Sequence, residues 1–327
     1  MMEKNYMELA PVIIPTLCRF EHFKRCVESL SRCTDADKTE LYIGLDYPSK
    51  ESHWKGYNQI KDYINTITGF KEVVVIRHEK NVGSAGNTRA LKELIKNKYD
   101  RYIYSDDDEE FSPNFLQYIN TCLNKYRDDE NVMAICSYNI PLSDNEMLLS
   151  RYEKNAYPMH GYNAHAVGLW FNKRPQGITK DQLLKSFKLA YKAIWCNHAF
   201  AVRNAMLLRD KASQLPDVGR ELFCVYNKKY CIFPTISKVR NWGFDGSGIN
   251  CEILGDWVVN RDIDDNKTFV LDDFSIKDYP EIKKLERQIY GFSKWYLNVY
   301  LMVDYLFFRV AGHRLIESKI MRCLRKK

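Results

Sequence analysis

The first half of the sequence alternates short apolar runs with segments of helical periodicity, and this alternation constrains the fold more than any other feature. Apolar runs at 11–16, 41–46, 73–78 and 101–105 predict strands. Segments at 20–32, 84–97 and 113–126 predict helices between or after them. The run at 73–78 is β-branched without polar alternation, which is typical of a parallel strand covered on both faces. The pattern predicts an open α/β sheet, mostly parallel, with right-handed crossovers.

The sheet indicates where a ligand would bind. Ligands of open α/β sheets bind beyond the carboxyl ends of the strands. This rule selects residues 16–19, Asp46, residues 78–89 and residues 106–108. The second half of the chain is less regular. It contains a predicted helix at 181–194, a strand-like segment CIFPTISKV and a glycine-bearing loop NWGFDGSGIN.

Composition narrows the class of protein. The chain has 327 residues, of which 45% are hydrophobic, as in a globular fold. Its ten cysteines form no C-x-x-C pair and no zinc spacing, and the N-terminus has no signal-peptide pattern, so a reducing cytoplasm is expected. The formal charge is +7, but residues 305–327 hold seven cations and one acid. The body is therefore close to neutral, and no nucleic-acid groove is predicted.

The most informative segment is the acidic run in YIYSDDDEEFSPNF. Three Asp and two Glu directly after a buried strand repel one another unless a cation offsets their charge. Carboxylate oxygens suit a hard divalent cation, Mn²⁺ or Mg²⁺. The alternative is a solvated acidic loop at the start of the following helix, where negative charge complements the helix dipole.

Other candidates are individually less specific. Gly83 and Gly86 in HEKNVGSAGNTRAL flank a helix start, where free N–H groups favour an anion such as phosphate. The alternative is an ordinary βα turn in which Asn81 bonds its own backbone. Asp46 could accept from a ribose hydroxyl or a base N–H, or could only form a turn. Arg19 could pair with a phosphate, or be a surface cation.

Together, four segments resemble the inverting GT-A glycosyltransferases, and most of all N-acetylglucosaminyltransferase I and its bacterial relatives. The segments are PVIIPTLCR, LDYP, SDDDEEFSPNF and PTISKVRNWGFDGSG, in the family's order, within about residues 10–251. The resemblance implies a GT-A fold, with a Rossmann-like open sheet flanked by helices. It implies a domain at 1–272, with a nucleotide-sugar half at about 1–137 and an acceptor half at about 138–272. A basic helical tail would occupy 273–327.

The resemblance also implies roles for individual residues. Asp108 would be the direct metal ligand with Asp106 beside it, and Asp106 and Asp107 would lie next to the uridine ribose and the sugar. The predicted donor site comprises Pro15, Thr16, Arg19, Asp46, Asn81, Gly83, Arg89, Asp106, Asp107, Gly243, Asp245, Gly246 and Ser247. The loop that holds the last four would be a mobile flap over the donor, because glycines permit large φ changes.

Inverting transfer requires a base that removes the acceptor proton. In relatives this acid precedes a Pro-x-x-Ser strand by about the length of a helix, which selects Asp217, with Glu221 as second choice. The alternative is that Asp217 caps a helix at 218–226. Trp170 is the predicted acceptor platform. Asn250 stands where many relatives have a His, so the flap is not expected to add a metal ligand.

The last feature is the C-terminal tail. Residues 295–310 are apolar but interrupted by Asn298 and Asp304, and the segment is short for a membrane span. Leu306, Val310, Ile320 and Leu324 share a helical face, which predicts a basic amphipathic helix on an anionic membrane surface. The alternative is a helix docked on its own domain.

The predicted function follows from these features. It is a metal-dependent inverting transfer from a nucleotide sugar, UDP-linked, to a saccharide or lipid-linked saccharide in polysaccharide biosynthesis. The protein is expected in the cytoplasm or peripherally on the inner face of the membrane. The alternatives are a glycoside hydrolase and a non-catalytic nucleotide-sugar binding protein.

Overall fold

The computed structural model describes residues 9–139, 154–196, 198–207, 216–246, 262–274, 282–291 and 294–315. The strands of this part are β1 (Val12–Thr16), β2 (Glu40–Leu45), β3 (Glu72–Arg77), β4 (Arg101–Tyr104), β5 (Glu109–Phe111), β6 (Val132–Ile135), β7 (Ala156–Met159), β8 (Val167–Trp170), β9 (Tyr230–Pro234) and β10 (Val239–Asn241). The helices are α1 (Phe20–Ser31), α2 (Trp54–Ile64), α3 (Gly83–Ile95), α4 (Phe115–Lys125), α5 (Lys180–Lys185), α6 (Phe187–Trp195), α7 (Ala199–Leu207), α8 (Pro216–Asn227), α9 (Ile282–Tyr290) and α10 (Trp295–Ala311).

The described strands form a large mixed sheet and a small one. The large sheet has eight strands in the order β3-β2-β1-β4-β8-β6-β9-β7, and β10 pairs with β5 beside it. Strands β1, β2, β3 and β4 run parallel, whereas β8 is antiparallel to β4. The predicted open α/β sheet is confirmed. Because β1, β2 and β4 are parallel, their carboxyl ends meet at one edge, where Thr16, Asp46 and residues 106–108 follow the strands.

Apolar side chains cover both faces of the large sheet. Helices α1, α2 and α4 pack on one face, and α3 and α9 pack on the other. A third cluster joins α5, α6, α7, α8 and α10. Helix α9 therefore packs onto the body of the chain, and the predicted boundary near residue 273 stays a prediction.

Three elements differ from the expectations. Strand β3 ends the sheet; Val73 and Val75 pack on one face and Val74 and Ile76 on the other, as predicted, but these side chains are only half-buried. The predicted helix at 181–194 is two helices, because Ser186 has extended backbone and its Oγ accepts from the N–H of Leu189 to start α6. The segment CIFPTISKV is likewise split between β9 and β10.

The tail is described only as far as Leu315. Ile320 and Leu324, which the predicted amphipathic face requires, lie outside the described residues. Within the described part, every helix falls short of the length and hydropathy that a bilayer crossing demands.

Candidate active site

The acidic run forms the connection between strand β4 and strand β5. Asp106 and Asp108 follow β4, and Glu109 is the first residue of β5. One carboxylate oxygen from each of these three side chains lies within 4.8 Å of the others. Asp108 and Glu109 are buried. The alternative of a solvated acidic loop is therefore not favoured, and Glu109 joins the cluster as a residue that the sequence analysis missed.

Asp107, the remaining acid of this group, is bound by Arg19 and Thr16. Arg19 forms ion pairs with Asp107 and Asp108, and its Nη1 lies 2.7 Å from Asp108 Oδ2. The hydroxyl of Thr16 donates to Asp107 at 2.7 Å. The structure thus brings together Thr16, Arg19, Asp107 and Asp108, as predicted. Arg19 is here the partner of two carboxylates, not a lone surface cation.

The cluster carries more negative than positive charge. Burial and the repulsion of Asp108 raise the pKa of Asp106 to about 7, although the Tyr104 hydroxyl donates to it. Burial also raises the pKa of Asp107 and that of Glu109. Four carboxyl groups (Asp106, Asp107, Asp108, Glu109) face two cations, Arg19 and His165. Full ionisation would leave two negative charges uncompensated.

His165 and Asn241 connect the acids from the opposite side. His165 Nδ1 lies 2.7 Å from Glu109 Oε1, and Asn241 Nδ2 donates to Asp108 Oδ1 at 3.0 Å and to Glu109 Oε1 at 2.9 Å. Burial by itself would lower the pKa of His165, but Glu109, Asp106 and Asp108 raise it to about 9. Among the described residues, nothing hydrogen-bonds the other oxygen of buried Glu109, Oε2. A polar ligand would satisfy this oxygen.

Sheet register explains why His165 and Asn241 reach the acids. Tyr104 pairs with Val167 across β4 and β8, so His165, two residues before Val167, falls opposite Asp106. Asn241 pairs with Glu109 across β10 and β5. Asn241 begins the segment NWGFDGSGIN quoted above and His165 stands in none of the quoted segments, and only the antiparallel pairing places both residues at the acids.

Gly243 allows the glycine-bearing loop to approach Asp108. A Cβ on Gly243 would lie 2.1 Å from Asp108 Oδ2, so no larger residue fits without moving that carboxylate. The φ of Gly243 is not positive, unlike that of Gly246 (φ 82°). A glycine is therefore needed at 243 because the backbone lies close to Asp108, and not because of its φ angle. Asp245 pairs with His22 at 3.0 Å. Ser247 and Asn250 lie outside the described residues, and a mobile flap stays a prediction.

The Asp46 carboxylate lies at the N-terminus of helix α3, which was the candidate phosphate site. Its carboxylate accepts from the N–H of Val82 and that of Gly83, both at 2.9 Å, and from Asn81 Nδ2 at 3.2 Å. The helix α3 N-terminus already has an anion from the chain itself, which favours a βα turn over a phosphate site, but Asn81 donates to Asp46 and to the carbonyl of Tyr47 and not to its own backbone as expected. Donor contacts of Asp46, of buried Pro15 and of exposed Arg89 stay predictions.

Asp217 stands in the first turn of α8 and interacts electrostatically with His165, which contacts Glu109 of the acid cluster. Its side chain is 49% exposed, and Arg220 Nη1 is 3.1 Å from its Oδ1. Partial burial raises the pKa of Asp217, while Arg220 and His165 lower it. Asp217 also interacts electrostatically with Tyr104, the residue that bonds Asp106. Because α8 begins at Pro216, Asp217 is inside the helix, and the alternative of an N-cap at 217 is wrong.

Glu221 and Trp170 are not where their predicted roles require. Glu221 is buried and lies 2.6 Å from His198 Nδ1, so it has no access to an acceptor. Trp170 is 1% exposed and pairs with Arg101, at the end of β4 opposite the acids. The Lys173 ammonium lies 4.0 Å from the Trp170 ring centroid. A buried ring at the far edge of the sheet cannot be the acceptor platform, so that prediction is wrong.

Comparison with known proteins gives only remote structural likenesses. No protein-family model matches the chain, and no curated protein matches it significantly. Solved structures that resemble it include Staphylococcus aureus TarS (14% identity, TM-score 0.32), over 49% of this chain and 28% of that one. The mannosyltransferase PcManGT from Pyrobaculum calidifontis, in complex with GDP-Man and Mn²⁺, matches over 98% of this chain and 79% of that one, at 10% identity and TM-score 0.41.

A third similar structure is mouse xyloside xylosyltransferase 1, at 11% identity and TM-score 0.31, over 66% of this chain and 80% of that one. The chain thus spans less than a third of TarS and about four fifths of the other two. Likenesses this remote do not establish a shared reaction.

Proposed function

We propose that the chain is a metal-dependent inverting glycosyltransferase that uses a nucleotide sugar, UDP-linked, and a saccharide or lipid-linked saccharide acceptor. The observation that carries this proposal is the convergence of Asp106, Asp108 and Glu109 within 4.8 Å at the carboxyl edge of parallel strands. Open α/β sheets bind nucleotides at this edge. Asp217 interacts electrostatically with His165 and Tyr104, which contact these acids, and is a carboxylate in a different electrostatic setting.

The donor set fits a hard divalent cation. The three side chains offer only carboxylate oxygens, the ligands that Mn²⁺ and Mg²⁺ prefer. The uncompensated charge of the cluster and the unpartnered Glu109 Oε2 both favour a bound cation. When bound by Asp108, Asp106 and Glu109, such an ion supplies charge neutralisation for a diphosphate leaving group.

The residues around the acids would support this site. Arg19 and Thr16 fix Asp107, Asn241 fixes Asp108 and Glu109, and Gly243 leaves space for the Asp108 carboxylate. We assign Asp217 as the base that accepts the proton of the acceptor hydroxyl. Its raised pKa suits this role, because a more basic carboxylate takes a proton more readily. Attack from the face opposite the leaving group would invert the anomeric centre.

A glycoside hydrolase would also place two carboxyl groups around a sugar, but it needs neither a cation nor a nucleotide. Among the described residues, the four acids Asp106, Asp107, Asp108 and Glu109 are paired with two cations, Arg19 and His165, and four acids are more than a carboxylate pair requires. A hydrolase would release reducing sugar in EDTA. A non-catalytic binding protein would bind UDP with manganese but show no turnover.

The test is a donor screen that measures nucleoside diphosphate release with manganese, with magnesium and with EDTA. Asp108→Asn should abolish release and weaken UDP binding in the presence of manganese. Asp217→Asn should abolish transfer and leave UDP affinity nearly unchanged. Asp37→Asn, the same change at an exposed acid, is the matched control. Normal turnover by both site variants would reject the assignment.

A further inference from the structure

Helix α10 packs onto the chain through its more polar face. Its buried residues are Asn298, Leu301, Asp304 and Tyr305. Arg314 Nε donates to Asp304 Oδ2 at 2.7 Å, and the N–H of Leu315 donates to Oδ1 at 2.8 Å. The two polar interruptions in the apolar sequence are therefore the inward positions. A surface helix of a globular protein normally has the reverse orientation, with its polar face outward.

The outward side of α10 is a continuous apolar stripe. Trp295, Val299, Val303, Leu306 and Val310 recur at helical spacing, and each is between 40% and 90% exposed. Between Lys294 and Arg309 the only charged residue is Asp304, which faces inward. We call these five residues the outer face of α10. Exposed apolar surface of this extent indicates an interaction site.

The adjacent helix adds to this surface. Helix α6 packs against α10, and its Phe187, Tyr191 and Trp195 stand four residues apart. Their neighbouring ring centroids are 6.0 Å and 6.3 Å apart, and all three side chains are exposed. Tyr and Trp combine an apolar body with a polar tip, which suits the boundary between water and lipid.

The charge next to α10 indicates which partner fits. Exposed Lys294 and Arg309 bracket the outer face, and residues 316–327 contain five cations and one acid. Because Lys294 and Arg309 stand at opposite ends of α10, a symmetric dimer through this face would bring cations together in either orientation of the two helices, which is unfavourable. An anionic bilayer is complementary to them.

We propose that the outer face of α10, together with the α6 aromatic stripe, docks the chain on the surface of an anionic bilayer. The helix would lie in the plane of the interface, because its 17 residues extend only about 25 Å. The sequence predicted that the apolar contact extends into the basic tail. In this proposal the apolar contact is made by residues before Leu315, and the tail contributes charge. The docking is independent of the proposed reaction.

The experiment is co-sedimentation of the full chain with vesicles of phosphatidylcholine alone or mixed with phosphatidylglycerol. The wild type should bind the anionic vesicles, and salt should weaken binding. The double variant Val303→Glu/Leu306→Glu should lower the partition constant by about tenfold or more, because it places charge in the apolar contact. Val270→Glu is the matched control, since Val270 is 82% exposed elsewhere on the chain.

The proposal is overturned if the wild type does not bind anionic vesicles, or if the double variant binds them like Val270→Glu. It is also overturned if light scattering without lipid shows a wild-type dimer that the double variant abolishes, because the occupant is then a second copy. Val310→Glu, at a position 90% exposed, repeats the test should the double variant melt early. Nucleoside diphosphate release to a soluble acceptor should be unchanged in these variants, which separates this proposal from the catalytic one.

Discussion

At the scale of single residues, Gly243 is the position where the loop after β10 makes room for an acid. Gly243→Ala would place a methyl carbon 2.1 Å from Asp108 Oδ2, so the carboxylate must move. We expect the Mn²⁺ dissociation constant to rise by about tenfold or more. Isothermal titration with Mn²⁺ measures it, and the melting temperature checks the fold. Unchanged affinity would mean that Asp108 does not hold the ion in the described position.

Glu221 provides a second test with single residues. Its buried contact with His198 indicates a structural carboxyl group and not a catalytic base. Burial raises the pKa of Glu221 and lowers that of His198 to about 4, and Glu221 Oε1 lies 2.6 Å from His198 Nδ1. Glu221→Gln keeps a hydrogen-bonding group of similar shape at this contact and should retain activity and stability. Glu221→Ala should cost about 1–3 kcal/mol of unfolding free energy, measured in urea, because His198 loses its partner. Loss of transfer in Glu221→Gln, with normal stability, would restore Glu221 as a candidate base.

At the scale of elements, buried Glu40 at the start of β2 is the centre of a group of charged side chains. Lys98 Nζ and Lys71 Nζ lie 2.7 Å and 3.1 Å from the carboxylate oxygens of buried Glu40. Burial alone would raise the pKa of Glu40, but hydrogen bonds from Lys98, Tyr99, Tyr42 and Lys71 lower it to about 2. A depressed folded-state pKa stabilises the fold above the ordinary value near 4.5, and this contribution is lost as pH falls toward 2.

We therefore expect Glu40→Gln to lower the unfolding free energy by about 1–2 kcal/mol near pH 6, less than a fully buried pair because both lysines are half-exposed. The difference from the wild type should shrink between pH 4.5 and pH 2. Urea unfolding at several pH values measures it. A difference that is constant across this range would contradict the ion pairing.

Elements also show how far the sequence can predict this molecule. Apolar runs and helical periodicity predicted β1, β2, β4 and the helices α1 and α3, because parallel βαβ units are specified by local pattern, whereas helix α2 was not predicted. The same pattern predicted that the acids lie at the carboxyl end of β4. It did not predict that His165 and Asn241 contact them, because the positions of these two residues depend on pairing between strands distant in sequence.

The errors have the same origin. Trp170 was assigned from the family resemblance, but the register of β8 places it at the far end of β4. The exposure of β3 depends on its place at the sheet edge, which hydropathy does not encode. The sequence predicted that α10 is apolar. It did not predict that Asn298 and Asp304 face inward, because their burial depends on contacts with α6, α7 and Arg314.

At the scale of the whole molecule, the acid cluster joins the two sheets, because β4 belongs to the large one and β5 to the small one. A cation bound there should stabilise the entire fold, since a ligand that binds only the native state raises the unfolding free energy by mass action. We expect Mn²⁺ at one hundred times its dissociation constant to add about 2.7 kcal/mol. Thermal unfolding with Mn²⁺ and with EDTA measures this, and Asp108→Asn should abolish the difference. Equal melting temperatures of the wild type in the two conditions would contradict it.

The most direct test of the account is whether the acids bind a cation together with a nucleoside diphosphate. Electron paramagnetic resonance of aqueous Mn²⁺, titrated with the chain in the presence of UDP, measures this because bound Mn²⁺ loses the free-ion signal. The account predicts that the wild type depletes the signal, that UDP increases the depletion, and that Asp108→Asn does neither. A wild-type chain that leaves the Mn²⁺ signal unchanged with UDP present, or an Asp108→Asn variant that depletes it equally, would contradict the account.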